Sequence, residues 1–133
     1  MNALDLVTLT QLMERTGGRP EITIGLVDGP VAIDHTNLMT EQIWTVPGAA
    51  VRSCTITNSV ACQHGTFVAG ILSARRESAA PAICPQCTLL VRPIFAEAAS
   101  LSLSLPSATP EDLATAITEC IDAGVQVLNL SLA

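Results

Sequence analysis

Three short apolar runs, set apart by stretches that suit helices, constrain the fold of this chain more than anything else in it. Ile22 to Val27, Thr88 to Ile94 and Val125 to Leu130 are aliphatic and β-branched, with little polar alternation. Runs of this kind suit strands covered on both faces, as in a parallel sheet. Gln63 to Arg75 carries small and aliphatic residues at helical spacing, with Arg75 and Arg76 placed to meet the negative end of a helix. Thr109 reads as an N-cap, Pro110 as the first helical residue and Glu111 and Asp112 as its acidic first turn; the helix runs to Asp122 and Gly124 stops it. Upstream, Leu4, Val7, Leu12 and Met13 form the apolar side of one amphipathic helix over 3–15, ended by Gly17, Gly18 and Pro20. The order is helix, strand, loop, helix, strand, helix, strand. It predicts an α/β domain with a parallel sheet and right-handed crossovers. Residues 34–62 read mostly as loop with room for a short strand, and 96–109 as a loop with three half-buried leucines, Leu101, Leu103 and Leu105.

Composition narrows the function classes. The 133 residues suffice for one domain, and aromatics make up only 2%, so Ala, Val, Leu and Ile must fill the core. Charged residues are 14%, which leaves thin polar cover and predicts that a partner or further chain hides part of the surface. A net charge of −6 disfavours nucleic acid, whose phosphates need clustered Lys and Arg. No apolar run is long enough to span a bilayer, so no membrane association is expected. Asp5 stands early and no basic segment precedes it, unlike a secretory leader; a cytoplasmic location is the resulting expectation. Five cysteines, an odd number, argue against a fully paired framework and favour reduced thiols, although Cys54 and Cys62 could pair across their loop.

Two residues carry the chemistry. Asp28 ends an apolar strand in Ile24-Gly25-Leu26-Val27-Asp28-Gly29, and His64 opens the helical stretch His64-Gly65-Thr66-Phe67-Val68-Ala69-Gly70. A carboxylate at a strand end and an imidazole at a helix start suggest two thirds of a Ser-His-Asp arrangement, with no evident serine to complete it. A positive helix start disfavours an imidazolium, so a nearby carboxylate has to offset it. Taken singly, a strand-end Asp before Gly is more often a turn residue, and a lone His more often structural.

The two segments together resemble a known family. Asp28-Gly29 followed by His35-x-Asn37-Leu38 is similar to the aspartate motif of subtilisin-like serine proteases, and His64 to Gly70 to their histidine motif. Ala116 through Gly124-Val125 to Asn129-Leu130-Ser131-Leu132 is similar to the helix and strand whose end lines their substrate groove. Within the family, Asp28-Gly29-Pro30-Val31, and Cys84-Pro85-Gln86-Cys87 ahead of Leu89 to Pro93, are most similar to the subtilases of cyanobactin-type maturation. Those enzymes trim, and in some cases cyclise, ribosomally made precursor peptides.

The resemblance implies a three-layer subtilisin-like fold, here its N-terminal half, with 1–20 as an N-terminal helix and linker and 21–133 as the beginning of the peptidase domain. It implies Asp28 and His64 as catalytic residues, Ser131 and Leu132 as substrate-binding residues, a peptide or precursor-peptide substrate and no cofactor. Phe67 stands where many relatives carry a second histidine, and Ala133 where glycine usually follows Ser-Leu. The family's oxyanion-hole asparagine and serine nucleophile are expected beyond Ala133, on a missing C-terminal half or a complementing chain. His35 reads as a loop residue packing under the Asp28 turn, Ser73 as helix packing, Gly65 as a point of close backbone approach and Thr66 as a local hydrogen-bonding residue. Two other readings stay open: an inactive subtilase-like binding module, and a thiol or metal protein. For the latter, Cys84 and Cys87 form a CxxC that suits a turn or local disulfide better than a redox pair or half a zinc site, with Cys54 and Cys62 as further ligands by type only. No metal is expected, and Asn37 alone is no calcium site.

Overall fold

The computed structural model describes residues 3–49, 51–98 and 105–132. Helices α1 (Ala3–Leu6) and α2 (Leu9–Arg15) precede strand β1 (Thr23–Asp28). A 3₁₀ turn (Thr40–Gln42), β2 (Ile43–Thr45), α3 (Val60–Ser73), β3 (Thr88–Pro93), α4 (Pro110–Asp122) and β4 (Val127–Leu130) follow. The four strands form one all-parallel sheet in the order β2-β3-β1-β4. No helix among the described residues is long and apolar enough to cross a membrane.

The period of two along a strand sorts the core into two layers. Ile24 and Leu26 of β1 and Leu89 and Val91 of β3 point to one face, where Val68 and Ala69 of α3 cover them. Val27 and Leu90 point to the other, against Ala116 and Cys120 of α4. Each fully buried Leu or Val contributes about 1.5–3 kcal/mol to folding. The result is the three-layer α/β arrangement expected, with both faces of the central strands covered.

Capping sets the helix limits. The Ser59 hydroxyl accepts from the Cys62 N–H at 3.1 Å and starts α3 at Val60, ahead of the Gln63 start read from the sequence. The helix ends at Ser73, so Arg75 and Arg76 lie beyond it instead of in its last turn. Arg76 reaches back to the Met13 and Thr16 carbonyls and to that of Ile83. Arg75 faces Glu41 at 3.5 Å. At α4 the expected cap is a reciprocal box: Thr109 accepts from the Asp112 N–H at 3.1 Å, and the Asp112 carboxylate accepts from the Thr109 N–H at 2.9 Å. Gly124 at φ +81° closes that helix.

Three expectations need correction. The single helix over 3–15 is broken, because Thr8 adopts φ +56°, a conformation costly for a β-branched residue. Its hydroxyl bonds the Val7 carbonyl, competing with helical pairing. The third apolar run pairs only from Val127, since the Val125 N–H is spent on the Cys120 carbonyl at the end of α4. Among the described residues β4 lies at a sheet edge, with Val127 and Leu130 exposed. The short strand that 34–62 had room for is β2, with Trp44 exposed on the opposite edge. Of the leucines expected half-buried in 101–105, Leu101 and Leu103 lie outside the described residues and Leu105 is exposed. Ala133 lies outside them as well.

One backbone contact seats α3. A Cβ on Gly65 would stand 2.6 Å from the carbonyl oxygens of both Gly29 and Pro30, and one on Gly29 would run into the Ala61 carbonyl. Gly70, on the same helix, faces open space. Gly65→Ala is therefore expected to cost about 1–3 kcal/mol. Gly70→Ala should stabilise the chain by about 0.5–1 kcal/mol. Urea denaturation of the two variants beside the parent checks both signs.

Candidate active site

The glycine contact brings the two candidate residues together. Asp28 is the last residue of β1 and fully buried, and its backbone carbonyl accepts from the Ile94 N–H at 2.8 Å. One carboxylate oxygen, Oδ1, accepts from the Gly29 N–H at 2.6 Å and meets His64 Nδ1 at 2.8 Å. An ionised carboxylate only accepts, so Nδ1 carries the proton and Nε2 of the neutral ring is left as the acceptor. The His64 side chain is 50% exposed, which leaves the ring open to an incoming group. Asp28 sits at the carboxyl end of a parallel strand, where sites in open α/β sheets form, and α3 carries His64 to it. Because α3 starts at Val60, His64 lies in its second turn and not at the helix mouth. The dipole argument made for the helix start is correspondingly weaker.

The remaining candidates fall as follows. Ser131 and Leu132 lie just past the Val27–Leu130 pair, so Ser131 comes abreast of Asp28 across the β1–β4 register. The Ser131 hydroxyl donates to Asn129 Oδ1 at 2.7 Å. His35 is exposed and its ring accepts from the Asn37 N–H at 3.2 Å; it does not pack under the Asp28 turn. Ser73 is buried at the end of α3. Thr66 bonds far from its own helix, accepting from the Ala32 N–H at 2.9 Å and tying α3 to the segment after Asp28. A groove of about 1030 Å³ runs along the neighbouring side of α3 past Thr66, Phe67 and Ile71, and neither Asp28 nor His64 lines it.

The cysteines divide into two groups. Cys54 and Cys62 form a disulfide, against the expectation of reduced thiols, while Cys84, Cys87 and Cys120 are free. The bridge ties the first turn of α3 to a loop whose Cys54 N–H donates to the Val31 carbonyl at 3.1 Å. Cys84 and Cys87 flank a turn closed by the Cys87 N–H on the Cys84 carbonyl at 3.0 Å, under Gly18, where a Cβ would collide with Cys87 Sγ. They do not join Cys54 and Cys62; among the described residues the donor atoms close enough to share a metal belong to Cys54, Cys62 and Glu97. Burial, with the neighbouring Cys87, pushes the Cys84 thiol up to about 11, so it is a poor nucleophile at neutral pH.

Glu97 stands in no motif that would single it out from sequence. Its carboxylate accepts from the Thr55 N–H at 2.9 Å, the Thr55 hydroxyl at 2.7 Å and the Ile56 N–H at 2.8 Å. Loss of solvent alone would raise its pKa; those hydrogen bonds outweigh it and hold the carboxyl below its usual value near 4.5. No motif flags such a bond, because its partners lie about forty residues apart.

With this geometry established, the chain can be set beside known proteins. No family model matches it, and no curated protein does. Solved structures do. A variant of the protease domain of PatA is 30% identical, with TM-score 0.74, covering 86% of this chain and 39% of that one. The prenylagaramide maturation protease PagA is 28% identical, with TM-score 0.72 over 92% of this chain and 38% of that one. The PatG macrocyclase domain, 19% identical with TM-score 0.73, shares the fold. The class defined is the subtilisin-like serine protease fold, and the chain spans about two fifths of the length of the PatA and PagA chains it matches. Within that class, the solved structures it resembles include proteases of cyanobactin maturation.

Two outcomes follow from the site. Denatured without reductant, the chain should take up three equivalents of an alkylating reagent, on Cys84, Cys87 and Cys120, and five after reduction, read by intact mass. Glu97 has a lowered folded pKa, so its contribution to stability is present above its unfolded value and lost as pH falls through the folded one. The stability difference between the parent and Glu97→Gln should hold steady above about pH 5.5 and shrink on acidification below about pH 4.5, in denaturation series across pH.

Proposed function

We propose that this chain supplies the aspartate and histidine of a subtilisin-like serine endopeptidase that processes precursor peptides. In this reading residues 1–20 are an N-terminal helical segment and linker, and 21–133 are the N-terminal part of the peptidase domain. The observation that carries it is the 2.8 Å contact between Asp28 Oδ1 and His64 Nδ1 at the carboxyl ends of parallel strands. His64 accepts the serine proton at Nε2 as the hydroxyl attacks the scissile carbonyl, then donates it to the departing amine. Asp28 holds the ring in the required tautomer and stabilises the imidazolium that forms in between. Ser131 and Leu132, at the end of β4 beside Asp28, line the groove for an extended peptide. The serine and the oxyanion-hole donors come from the remainder of such a domain, either further along the polypeptide or on a complementing chain. A peptide occupant suits the fold: the PatG macrocyclase, which shares it, is known in complex with peptide.

The test uses the complete polypeptide that carries this chain. It should hydrolyse a precursor-type peptide and be labelled by a fluorophosphonate on a serine outside residues 1–133. Asp28→Asn should lower kcat by roughly 10⁴-fold with little effect on KM, and His64→Ala should abolish labelling. The 133-residue chain by itself should cleave nothing, because a base without a nucleophile or oxyanion hole has nothing to activate. Full activity in His64→Ala would overturn the proposal. Peptide binding without labelling would instead identify a binding module.

A further inference from the structure

Beside the Asp28–His64 pair lies a second cluster that takes no part in the proposed reaction. Cys54 Sγ, Cys62 Sγ and a Glu97 carboxylate oxygen all fall within 4.8 Å of one another. We propose that this cluster is a redox-gated divalent-cation site: a disulfide when oxidised, and a two-thiolate, one-carboxylate seat for Zn²⁺ when reduced. Nothing in this inference depends on the peptidase reading.

The distances suit a tetrahedral ion. Zinc takes thiolate sulfur at about 2.3 Å and carboxylate oxygen at about 2.0–2.2 Å, which sets the donors about 3.5–4 Å apart. From their present positions the two sulfurs need only separate once the bond is cut, and Glu97 needs to approach by about 1 Å at most. The Cα atoms of the two cysteines are 5.7 Å apart, so no large backbone movement is required.

The surroundings are arranged as an outer shell. Three donors, the Thr55 N–H, the Thr55 hydroxyl and the Ile56 N–H, fix the Glu97 carboxylate. The Thr55 N–H is shared between both oxygens, at 3.0 and 2.9 Å, so a cation takes one of those two positions while the N–H keeps the other. Thr66 Oγ1 lies 3.8 Å from Cys54 Sγ and 3.9 Å from Cys62 Sγ. That oxygen already accepts from the Ala32 N–H, which leaves its own proton to donate to a thiolate. Cys62 is buried in the first turn of α3, a 14-residue helix whose N-terminus favours a thiolate. Two thiolates and one carboxylate select zinc over magnesium or calcium. Three protein ligands leave the fourth position to water.

The chemistry balances with a thiol reductant. A dithiol gives two electrons to the Cys54–Cys62 bond, yielding two thiols, and closes to its own cyclic disulfide. Zn²⁺ binding then releases both thiol protons to solvent. The Cys84 and Cys87 thiols serve as an internal comparison, since no third metal-binding side chain joins them among the described residues.

Co²⁺ is the probe, titrated into the chain after reduction by a phosphine. One equivalent should bind with thiolate-to-cobalt charge-transfer absorption, be displaced by Zn²⁺, and fail to bind the oxidised chain. The double variant Cys84→Ser, Cys87→Ser should keep the bands. Glu97→Ala, which leaves both cysteines in place, should weaken Co²⁺ binding at least tenfold. The proposal is overturned if Glu97→Ala binds like the parent, if the bands vanish in the Cys84, Cys87 variant, or if the reduced chain shows none. A reduced chain that stays unfolded by circular dichroism with Co²⁺ present overturns it equally, because the seat would then not exist.

Discussion

The absence of two side chains holds this structure together. Gly65 lies directly on the Gly29–Pro30 backbone, and Gly29 lies under the Ala61 carbonyl, so helix α3 touches the turn after β1 with no atoms to spare. Everything chemical depends on that approach. It sets the imidazole of His64 within 2.8 Å of a carboxylate 36 residues away in the chain. Thr66, on the next position of the helix, reinforces the contact through the Ala32 N–H, and the Cys54–Cys62 bridge fastens the first turn from the other side. Three unlike interactions therefore converge on one short stretch, residues 59–66.

Much of this was legible in the residues because it depends on local rules. The three apolar runs became three parallel strands, and Thr109, Pro110, Asp112 and Gly124 cap α4 where capping chemistry puts them. The pairing of Asp28 with His64 followed from two motifs read together. The failures share a cause: a distant partner overrode a local signal. Ser59 is the exception, since its cap is local and Val60, Ala61 and Cys62 follow it directly. Arg76 reads as a helix-end charge, yet its guanidinium is used on the Met13, Thr16 and Ile83 carbonyls. Glu97 carries no motif at all, and its grip on Thr55 and Ile56 exists only once the two loops meet.

Burial follows the same division. β1 and β3, in the middle of the sheet, are covered on both faces, and their near-continuous apolar sequences match. β4 has a similar composition and, among the described residues, a neighbour on one side only. Arg92 at the end of β3 pairs with Glu119 of α4, a polar clasp across an otherwise apolar layer. It fixes how far α4 can slide along the sheet.

Gln126 has an effect out of proportion to its size. Its N–H donates to the Thr23 carbonyl at 3.0 Å, and its side-chain oxygen accepts from the Thr23 N–H at 2.8 Å. Parallel neighbours have no hairpin between them to choose their phase, and a slip of one residue turns every side chain to the opposite face. Gln126 works as an index pin at the entry of β4. By locking Thr23 it decides, a whole strand-length away, that serine and not leucine arrives level with the buried aspartate.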